Sequence, residues 1–405
     1  MSKVAINACQ LWPGQVGGVE TYLRALVNYL PSDRNSLDYV LLAQSESKSA
    51  LEEFLDPNWQ TILLPSPPLK TVSHPISYRL KRKFAHWRKV PYPPTPHEKS
   101  INDIIETSEI DLVHFPQTNI YPLSLNIPCV LTFWDMQHEF FPEFFSEDIL
   151  KWRLATYEPS VHKAKLIIVA SQFTKQSLID KYNVCAEKIR VIPFGVSMEF
   201  QQPLDESTLF QVRKLYNLPE KYFFYPAASY PHKNHGRLLE AFNHVRSSFP
   251  DVKLVLTGMV HSAENDIQQL ILDLNLASAV LRLGYIPYEH LPYLYKDAIS
   301  LIFPSMFEGY GIPVLEAMTL DCPVICSNTT SLPELVGKAA ISIDPLNIDA
   351  MINSMQEVLQ KPELRKMLAE AGRQRAETFS WSQGISQTLA VYKEVLEQQK
   401  MDTVN

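Results

Sequence analysis

The stretch FEGYGIPVLEAM, residues 307–318, carries two glutamates eight positions apart, with a Gly-x-Gly turn and a proline between them. The apolar run SLIFPS, residues 300–305, lies directly before it and has the length and composition of a buried strand. Pro313 suits the first turn of a helix, because its missing N–H costs no hydrogen bond there. The stretch therefore predicts a strand, a tight turn at the carboxyl end of that strand, and a helix.

Short apolar runs alternate with helical patterns along the 405 residues, in two series separated by the polar stretch 198–208, which is predicted to be a linker. This alternation is typical of parallel sheets built from right-handed βαβ units. The predicted fold class is therefore α/β, with two tandem doubly wound (Rossmann-like) parallel-sheet domains facing across a cleft. The predicted strands are 3–7, 39–43, 111–115, 129–134, 165–171 and 189–195 in the first series, and 222–227, 252–258, 279–285, 300–305 and 322–327 in the second.

The chain length fits two domains, and we expect an N-terminal domain over residues 1–197 and a C-terminal domain over 198–382. The tail 379–400 has the pattern of a long amphipathic helix. That pattern does not indicate which domain the helix contacts, and residues 383–405 could pack back on the N-terminal domain.

The composition excludes several classes of protein. A net charge of −7 gives no case for nucleic-acid binding, and the five scattered cysteines form neither a disulfide framework nor a zinc motif. The sequence has no DxD between a strand and a loop and no His/Asp cluster, so no metal site is predicted. The N-terminus lacks a signal-peptide pattern and no run reaches the ~18 apolar residues of a membrane span, so the expected compartment is the cytoplasm.

The two glutamates of the opening stretch are candidate ligand-binding residues. Glu316 falls near the start of the predicted helix, where free backbone N–H groups favour a phosphate, and Gly309 and Gly311 allow a ligand to approach the backbone. Because carboxylates repel a phosphate, Glu308 and Glu316 are better suited to accept hydrogen bonds from sugar hydroxyls. The alternative stays open that Glu308 is a solvated loop acid and Glu316 only a favourable acid at a helix start.

The residues EGYGIPVLE resemble the E-x7-E motif of retaining glycosyltransferases of the GT-B fold, in particular the large group 1 family (family 4). YPHKNHGRLLEAF, residues 230–242, resembles the basic phosphate-binding segment of that family, and GGVETYLRAL, residues 17–26, its glycine-rich loop after the first strand. The resemblance is strong over about 160–382 and weaker but continuous before it. Several segments in the correct order make it more specific than the motif alone.

The resemblance implies roles for individual positions. Glu308 would contact the transferred sugar, Glu316 would bind the ribose hydroxyls of the nucleotide, and Lys233 would neutralise the diphosphate. The backbone of 309–311 would lie under the sugar, and the loop 327–335 would lie beside the nucleotide. The implied donor-binding set is Gly17, Gly18, Lys233, Glu308, Gly309, Tyr310, Gly311, Ile312, Glu316 and Asn328.

Two positions depart from the family pattern. Ala227 occupies a position where many relatives have an arginine, and Trp134 occupies one where they often have a histidine facing the sugar. Asp135 or His138 could take over the role of that histidine, so the implied catalytic set is Glu308, Lys233, His138 and Asp135. For His138, a structural role at a helix start or between the domains remains an alternative.

The resemblance implies an enzyme that moves a hexose, such as mannose, from a nucleoside-diphosphate sugar to a hydroxyl of a glycan or lipid-linked acceptor. It further implies retention of anomeric configuration, no cofactor and no bound metal, with the acceptor on the N-terminal domain and the nucleotide sugar on the C-terminal domain. Two alternatives are a non-catalytic sugar-nucleotide-binding subunit and a non-hydrolysing sugar-nucleotide epimerase on the same fold.

The stretch YRLKRKFAHWRK, residues 78–89, interleaves cations with aromatic residues. Eight Lys and Arg lie between Lys70 and Lys99 against one acid, Glu98. A basic aromatic helix of this kind suits an anionic membrane surface, which would place the protein at the inner face of the membrane. A solvated helix is the alternative.

Overall fold

The computed structural model describes residues 1–9, 17–30, 37–52, 59–66 and 94–404. The basic stretch 78–89 lies outside these residues. The described strands form two separate parallel sheets, so the predicted α/β class with two Rossmann-like domains is confirmed. The first sheet consists of β1 Ser2–Asn7, β2 Leu37–Gln44, β3 Gln60–Leu64, β4 Leu112–Phe115, β5 Cys129–Thr132, β6 Leu166–Val169 and β7 Ile189–Val191; the second of β8 Tyr222–Pro226, β9 Lys253–Thr257, β10 Val280–Gly284, β11 Ser300–Phe303, β12 Val324–Ser327 and β13 Ile341–Ile343.

The order of the strands in each sheet indicates where a ligand can bind. In the first sheet the order is β3-β2-β1-β4-β5-β6-β7, and in the second it is β10-β9-β8-β11-β12-β13. The order in which successive strands are added therefore reverses once in each sheet, between β1 and β4 in the first and between β8 and β11 in the second. Ligands of open parallel sheets bind beyond the carboxyl ends of the strands at such a reversal. The loops that carry Gly17, Lys233 and Glu308 follow β1, β8 and β11 respectively.

Two strands, β3 and β13, were not predicted. Both lie at sheet edges and have only five and three residues, with partly exposed positions, so their apolar signal is weak. The described helices are α1 Gly18–Tyr29, α2 Ser45–Glu52, α3 Pro96–Thr107, α4 Glu147–Lys163, α5 Gln172–Tyr182, α6 Glu206–Leu215, α7 His235–Ser248, α8 Glu264–Asp273, α9 Leu291–Asp297, α10 Ile312–Thr319, α11 Leu332–Val336, α12 Ile348–Gln360, α13 Pro362–Ala376 and α14 Trp381–Val404.

The last helix, α14, lies against α1 and β6 of the N-terminal sheet. The hydroxyl of its Tyr392 is 2.6 Å from Nδ1 of His114, whose other ring nitrogen is 2.8 Å from Oγ1 of Thr132. All three side chains are buried, and burial lowers the pKa of His114 to about 3, so its ring is neutral near pH 7. The domain boundaries at 197 and 382 stay predictions.

The chain crosses between the domains twice, and the two crossings touch. A Cβ on Gly195 would lie 2.5 Å from the backbone nitrogen of Trp381, so only glycine lets the two segments approach this closely. The rings of Phe194 and Trp381 stack with centroids 5.6 Å apart. Within the stretch 198–208, predicted to be a polar linker, Phe200 is buried between Tyr288 and Tyr295. The buried aromatic ring in this stretch makes it part of the C-terminal core.

Among the described helices, none combines the length and the apolar character that crossing a bilayer requires.

Candidate active site

The turn between β11 and α10 carries the opening motif. Gly311 has φ 110°, in the left-handed region, and a Cβ there would lie 2.6 Å from Cδ2 of Leu332. Thr330 Oγ1 accepts from the backbone N–H of Glu308 at 3.1 Å, and Ser331 Oγ donates to the carbonyls of Glu308 and Tyr310 at 2.9 and 3.0 Å. The turn is therefore fixed by the loop after β12, which holds Glu308 in place.

Lys233 and Glu308 form an ion pair. Nζ of Lys233 lies 2.5 Å from Oε1 of Glu308, and the two side chains keep only 16% and 13% of their surface exposed. Partial burial strengthens such a pair compared with one on the open surface. The structure thus brings together two predicted catalytic residues that are 75 positions apart in the sequence.

The backbone around Lys233 is fixed to β11 and its turn. Asn234 has φ 60°, and its side-chain amide donates to the carbonyls of Pro304 and Pro345 at 3.1 and 2.7 Å. The hydroxyl of Tyr225 donates to the carbonyl of Lys233 at 2.5 Å. These contacts hold the Lys233 segment against the Glu308 turn without using the ammonium group, which is left for the ion pair.

The N-terminal domain meets this turn at Gly309. The carbonyl of Gly309 accepts from Ser171 Oγ at 2.8 Å and from Thr174 Oγ1 at 3.3 Å. A Cβ on Gly309 would lie 2.2 Å from the carbonyl oxygen of Trp134 and 3.1 Å from Cβ of Asp135. Asp135, a predicted catalytic residue, therefore lies directly beside the residue that follows Glu308.

A second contact between the domains lies next to the first. The carboxylate of Glu334 accepts from the backbone N–H groups of Gln172 and Phe173 at 2.8 and 3.0 Å, at the start of α5. A carboxylate at this end of a helix satisfies free N–H groups and interacts favourably with the helix dipole. Residues 171–174 thus contact the C-terminal domain through both side chains and backbone.

Glu316 is buried, and it is not a solvent-exposed acid at a helix start. Its two carboxylate oxygens accept from the hydroxyls of Tyr288 and Tyr295, each at 2.7 Å. Burial raises the pKa of Glu316, and the two hydroxyl donors partly oppose this rise. The carboxylate has further lone pairs, so it can accept additional hydrogen bonds from a ligand.

Glu316 contributes to a cavity of about 490 Å³ between the domains. The predicted donor-binding residues Gly17, Gly18 and Ile312 also line it. A Cβ on Gly18 would lie 2.7 Å from Cδ1 of Ile312 and 3.3 Å from the ring of Trp134. The first loop of the N-terminal domain therefore packs directly on the start of α10, and the cavity has the size expected for a small-molecule site.

The hydrogen bonds of two other predicted donor-binding residues, Tyr310 and Asn328, are made with groups other than the Glu308 side chain. The side chain of Tyr310 is buried and its hydroxyl donates to the carbonyl of Phe194 at 2.5 Å, so only its backbone lies in the turn. Asn328 is exposed, and its backbone N–H donates to Ile343 at 2.8 Å. The polar contacts of its loop with the Glu308 turn come from Thr330 and Ser331.

His138 is buried in the N-terminal domain. Its Nε2 lies 3.0 Å from the hydroxyl of Tyr182, and its ring packs edge-on against Tyr157 and Phe145. Burial and the nearby charge of Arg153 lower its pKa to about 4, which makes the ring neutral near pH 7. The contacts of His138 are those of a core histidine, and its catalytic role stays a prediction.

Sequence reasoning did not find Tyr288, Tyr295 or Ser171 as partners of the site. No sequence motif marks these three residues, because each of them contacts the site only through the way the fold packs its element against it. Within the described ranges, no group of three His, Cys, Asp or Glu side chains is arranged to hold a metal ion.

Comparison with known proteins defines the class. Residues 16–200 match the model of Glycosyltransferase Family 4, and residues 208–375 match that of Glycosyl transferases group 1. The chain is 33% identical over 270 residues to O-antigen chain mannosyltransferase B of Escherichia coli, covering 65% of this chain and 70% of that protein. It is 27% identical over 234 residues to the MMP alpha-(1->4)-mannosyltransferase of Mycolicibacterium hassiacum, covering 57% of this chain and 54% of that protein.

The chain therefore belongs to the group 1 glycosyltransferases of family 4 and is a glycosyltransferase, as its motifs predict. The fold agrees with solved structures at low identity. Sucrose-phosphate synthase from Thermosynechococcus elongatus superposes with a TM-score of 0.74 at 20% identity, covering 98% of this chain and 100% of that one. Anabaena HepE in complex with UDP-glucose superposes with a TM-score of 0.71 at 19% identity, covering 96% of this chain and 100% of that one. These likenesses confirm the predicted GT-B architecture.

Gly309→Ala tests the contact between the domains. Because the added Cβ would lie 2.2 Å from a backbone oxygen, the turn and the N-terminal domain must separate. We expect kcat/KM for sugar transfer to fall by about 100-fold, since small misplacements of reacting groups are costly. Enzyme kinetics and thermal unfolding would be measured together, so that a loss of activity can be separated from a loss of folded protein. An unchanged kcat/KM would contradict the prediction.

Proposed function

We propose that this glycosyltransferase moves a hexose, such as mannose, from a nucleoside-diphosphate sugar to a hydroxyl of a glycan or lipid-linked acceptor, with retention of anomeric configuration. The observation that carries the proposal is the Lys233–Glu308 ion pair at 2.5 Å, formed at the turn that leads into the helix of Glu316, which lines a cavity between the domains. A cation, a sugar-binding carboxylate and a nucleoside-sized cavity are the parts that such a donor requires.

The donor assignment has support from the relatives. O-antigen chain mannosyltransferase B and the MMP alpha-(1->4)-mannosyltransferase are named for transfer of mannose, and Anabaena HepE was solved with UDP, with UDP-glucose, and with UDP and glucose. By analogy, the donor of this chain is a sugar attached to a nucleoside diphosphate.

The chemistry would depend on charge stabilisation. When the glycosidic bond breaks, negative charge grows on the leaving diphosphate, and the Lys233 ammonium stabilises it without a proton transfer. Glu308 would then be released from Lys233 to accept hydrogen bonds from the sugar. The donor phosphate would take the proton of the acceptor hydroxyl on the face from which it leaves, which retains the configuration. No bound metal or cofactor is part of this proposal.

Closure of the domains would protect the donor from water. Ser171, Thr174 and Glu334 hold the two domains together beside the Glu308 turn. Expelling water strengthens the electrostatic contacts of the site and limits hydrolysis of the donor.

Nucleotide binding is the first test. Thermal unfolding would be followed with UDP, GDP and ADP in turn, each with and without EDTA. A ligand present at about 100 times its Kd stabilises the folded state by about 2.7 kcal/mol, so the cognate nucleotide should raise Tm, and EDTA should not alter that rise. If none of the three raises Tm, the donor-binding roles of Lys233 and Glu316 fail.

The same assay tests the ribose role of Glu316. We expect Glu316→Gln to weaken nucleotide binding by about 1–3 kcal/mol, because an amide replaces a charged hydrogen-bond acceptor while keeping the side chain's shape. Glu363→Gln, an exposed acid in the first turn of α13, is the matched control. Unchanged affinity in Glu316→Gln would remove this residue from the ribose site.

Lys233→Ala should lower kcat more than it weakens donor binding, because the charge that Lys233 stabilises grows in the transition state. We expect kcat to fall by about 100-fold or more, the range seen when a transition-state charge contact is removed. Lys233→Arg keeps the charge and should retain part of the activity, and the exposed Lys221→Ala serves as control. Equal losses in kcat and in donor affinity would indicate that Lys233 acts in ground-state binding only.

We also propose that the basic stretch 78–89 contacts an anionic membrane surface at its cytoplasmic face, which would bring a lipid-linked acceptor to the cleft. The supporting observation is its interleaved cations and aromatic residues. Co-sedimentation with vesicles should increase when phosphatidylglycerol is added to phosphatidylcholine, and the increase should be lost when the five cations in 81–89 are replaced by glutamine. Equal sedimentation with neutral and anionic vesicles would refute the contact.

A further inference from the structure

Arg153, on α4 of the N-terminal domain, has a guanidinium group without a full set of partners. Its Nε and Nη1 atoms are buried, and neither has a hydrogen-bond partner in the described part of the chain. Nη1 lies 4.0 Å from Oδ1 of Asp135, which is close enough for attraction but too far for a hydrogen bond. An arginine stays charged in proteins. Leaving two of its buried N–H donors without an acceptor therefore costs folding free energy.

Aromatic rings hold this guanidinium in place. Its central carbon lies 4.4 Å from the ring centroid of Phe145 and 5.4 Å from that of Tyr157. Such stacking orients the planar group while leaving its N–H edge free. The side chain keeps 19% of its surface exposed, so part of it is accessible to a ligand.

Arg153 lies near the proposed donor site. Asp135, its neighbour, lies beside Gly309 in the turn that carries Glu308. On the other side of the cleft, burial and then the charges of Lys233, His235 and Arg153 lower the pKa of His232 to about 2. Phe144, which precedes the Phe145 ring that Arg153 stacks on, lines one cavity together with Tyr230 and Pro231 of the C-terminal domain.

The proposed chemistry would use more than one cation. The family resemblance implies an arginine where this chain has Ala227, so Lys233 is the one cation that the resemblance assigns to the diphosphate. A diphosphate carries more negative charge than one lysine offsets. A guanidinium fork matches phosphate oxygens in geometry as well as in charge.

We propose that Arg153 binds a phosphate group in the cleft, as a second cation opposite Lys233 supplied by the N-terminal domain. The inference rests on the proposed function. The phosphate belongs either to the nucleoside-diphosphate donor or to a phosphate-bearing acceptor, and the two sources share the chemistry that Arg153 recognises.

The test compares Arg153→Gln with the wild type and with Arg246→Gln. Arg246 lies at the far end of α7, bonded to the carbonyl of Asn275 and to Ser278, so its replacement makes the same charge change away from the cleft. Calorimetry would give Kd for the nucleoside diphosphate identified by thermal unfolding. Initial rates would give KM for a polyprenyl-diphosphate-linked sugar and for the same sugar as a phosphate-free alkyl glycoside.

If the phosphate is the donor's, Kd of the nucleotide should rise by about tenfold or more in Arg153→Gln, the loss expected for charged hydrogen bonds. If it is the acceptor's, nucleotide Kd should stay unchanged, while KM rises for the diphosphate-linked acceptor and not for the alkyl glycoside. Either result supports the proposal. Unchanged nucleotide affinity together with unchanged KM for both acceptors overturns it.

Arg153→Lys keeps the test valid if Arg153→Gln does not fold. Lysine retains the charge but loses the fork, so we expect a smaller loss on the same substrate, about threefold or more. A folded Arg153→Lys enzyme with wild-type Kd and KM would overturn the proposal. A wild-type enzyme that binds no nucleotide would instead refute the proposed function, so the two failures are distinguishable.

Discussion

The missing side chain of Gly309 is the constraint on which the site depends. Any Cβ at this position would lie 2.2 Å from the carbonyl oxygen of Trp134, so the two domains can meet here only through glycine. The contact then places Ser171 on the carbonyl of Gly309 and Asp135 beside its α-carbon. Glu308, one residue earlier, is thereby positioned at the junction of both domains instead of at the surface of one.

The charges of the cleft follow from this junction. Glu308 is the partner of Lys233, while Asp135 lies 4.0 Å from Arg153. In these two pairs each domain contributes one acid and one cation, and the two acids lie on neighbouring sides of the Gly309 turn. A donor that carries both hydroxyls and phosphates offers a partner to each kind of group. Such a ligand can therefore exchange its own contacts for the internal ion pairs at little net electrostatic cost.

Much of this arrangement could be predicted from the sequence. The strands near the site have strong apolar runs that predict them, and the family resemblance implies that Lys233 and Glu308 share one site; the structure adds that β8 and β11 are neighbours at a reversal of strand order. The side-chain environment could not be predicted. Tyr288 and Tyr295 reach Glu316 from an element 21 to 28 residues earlier, and the unpaired state of Arg153 depends on packing that no local pattern records.

Opening of the cleft must leave some contacts intact and break others. Phe194, which stacks on Trp381 and accepts from the Tyr310 hydroxyl, lies where the chain crosses between the domains, so this aromatic group is suited to act as a fixed pivot. The hydrogen bonds from Ser171 and to Glu334 join the two domains and would break if the domains separate at this turn. Each contributes only about 1 kcal/mol net, because water replaces the lost partner. A few such bonds can hold the domains together and still break at modest cost.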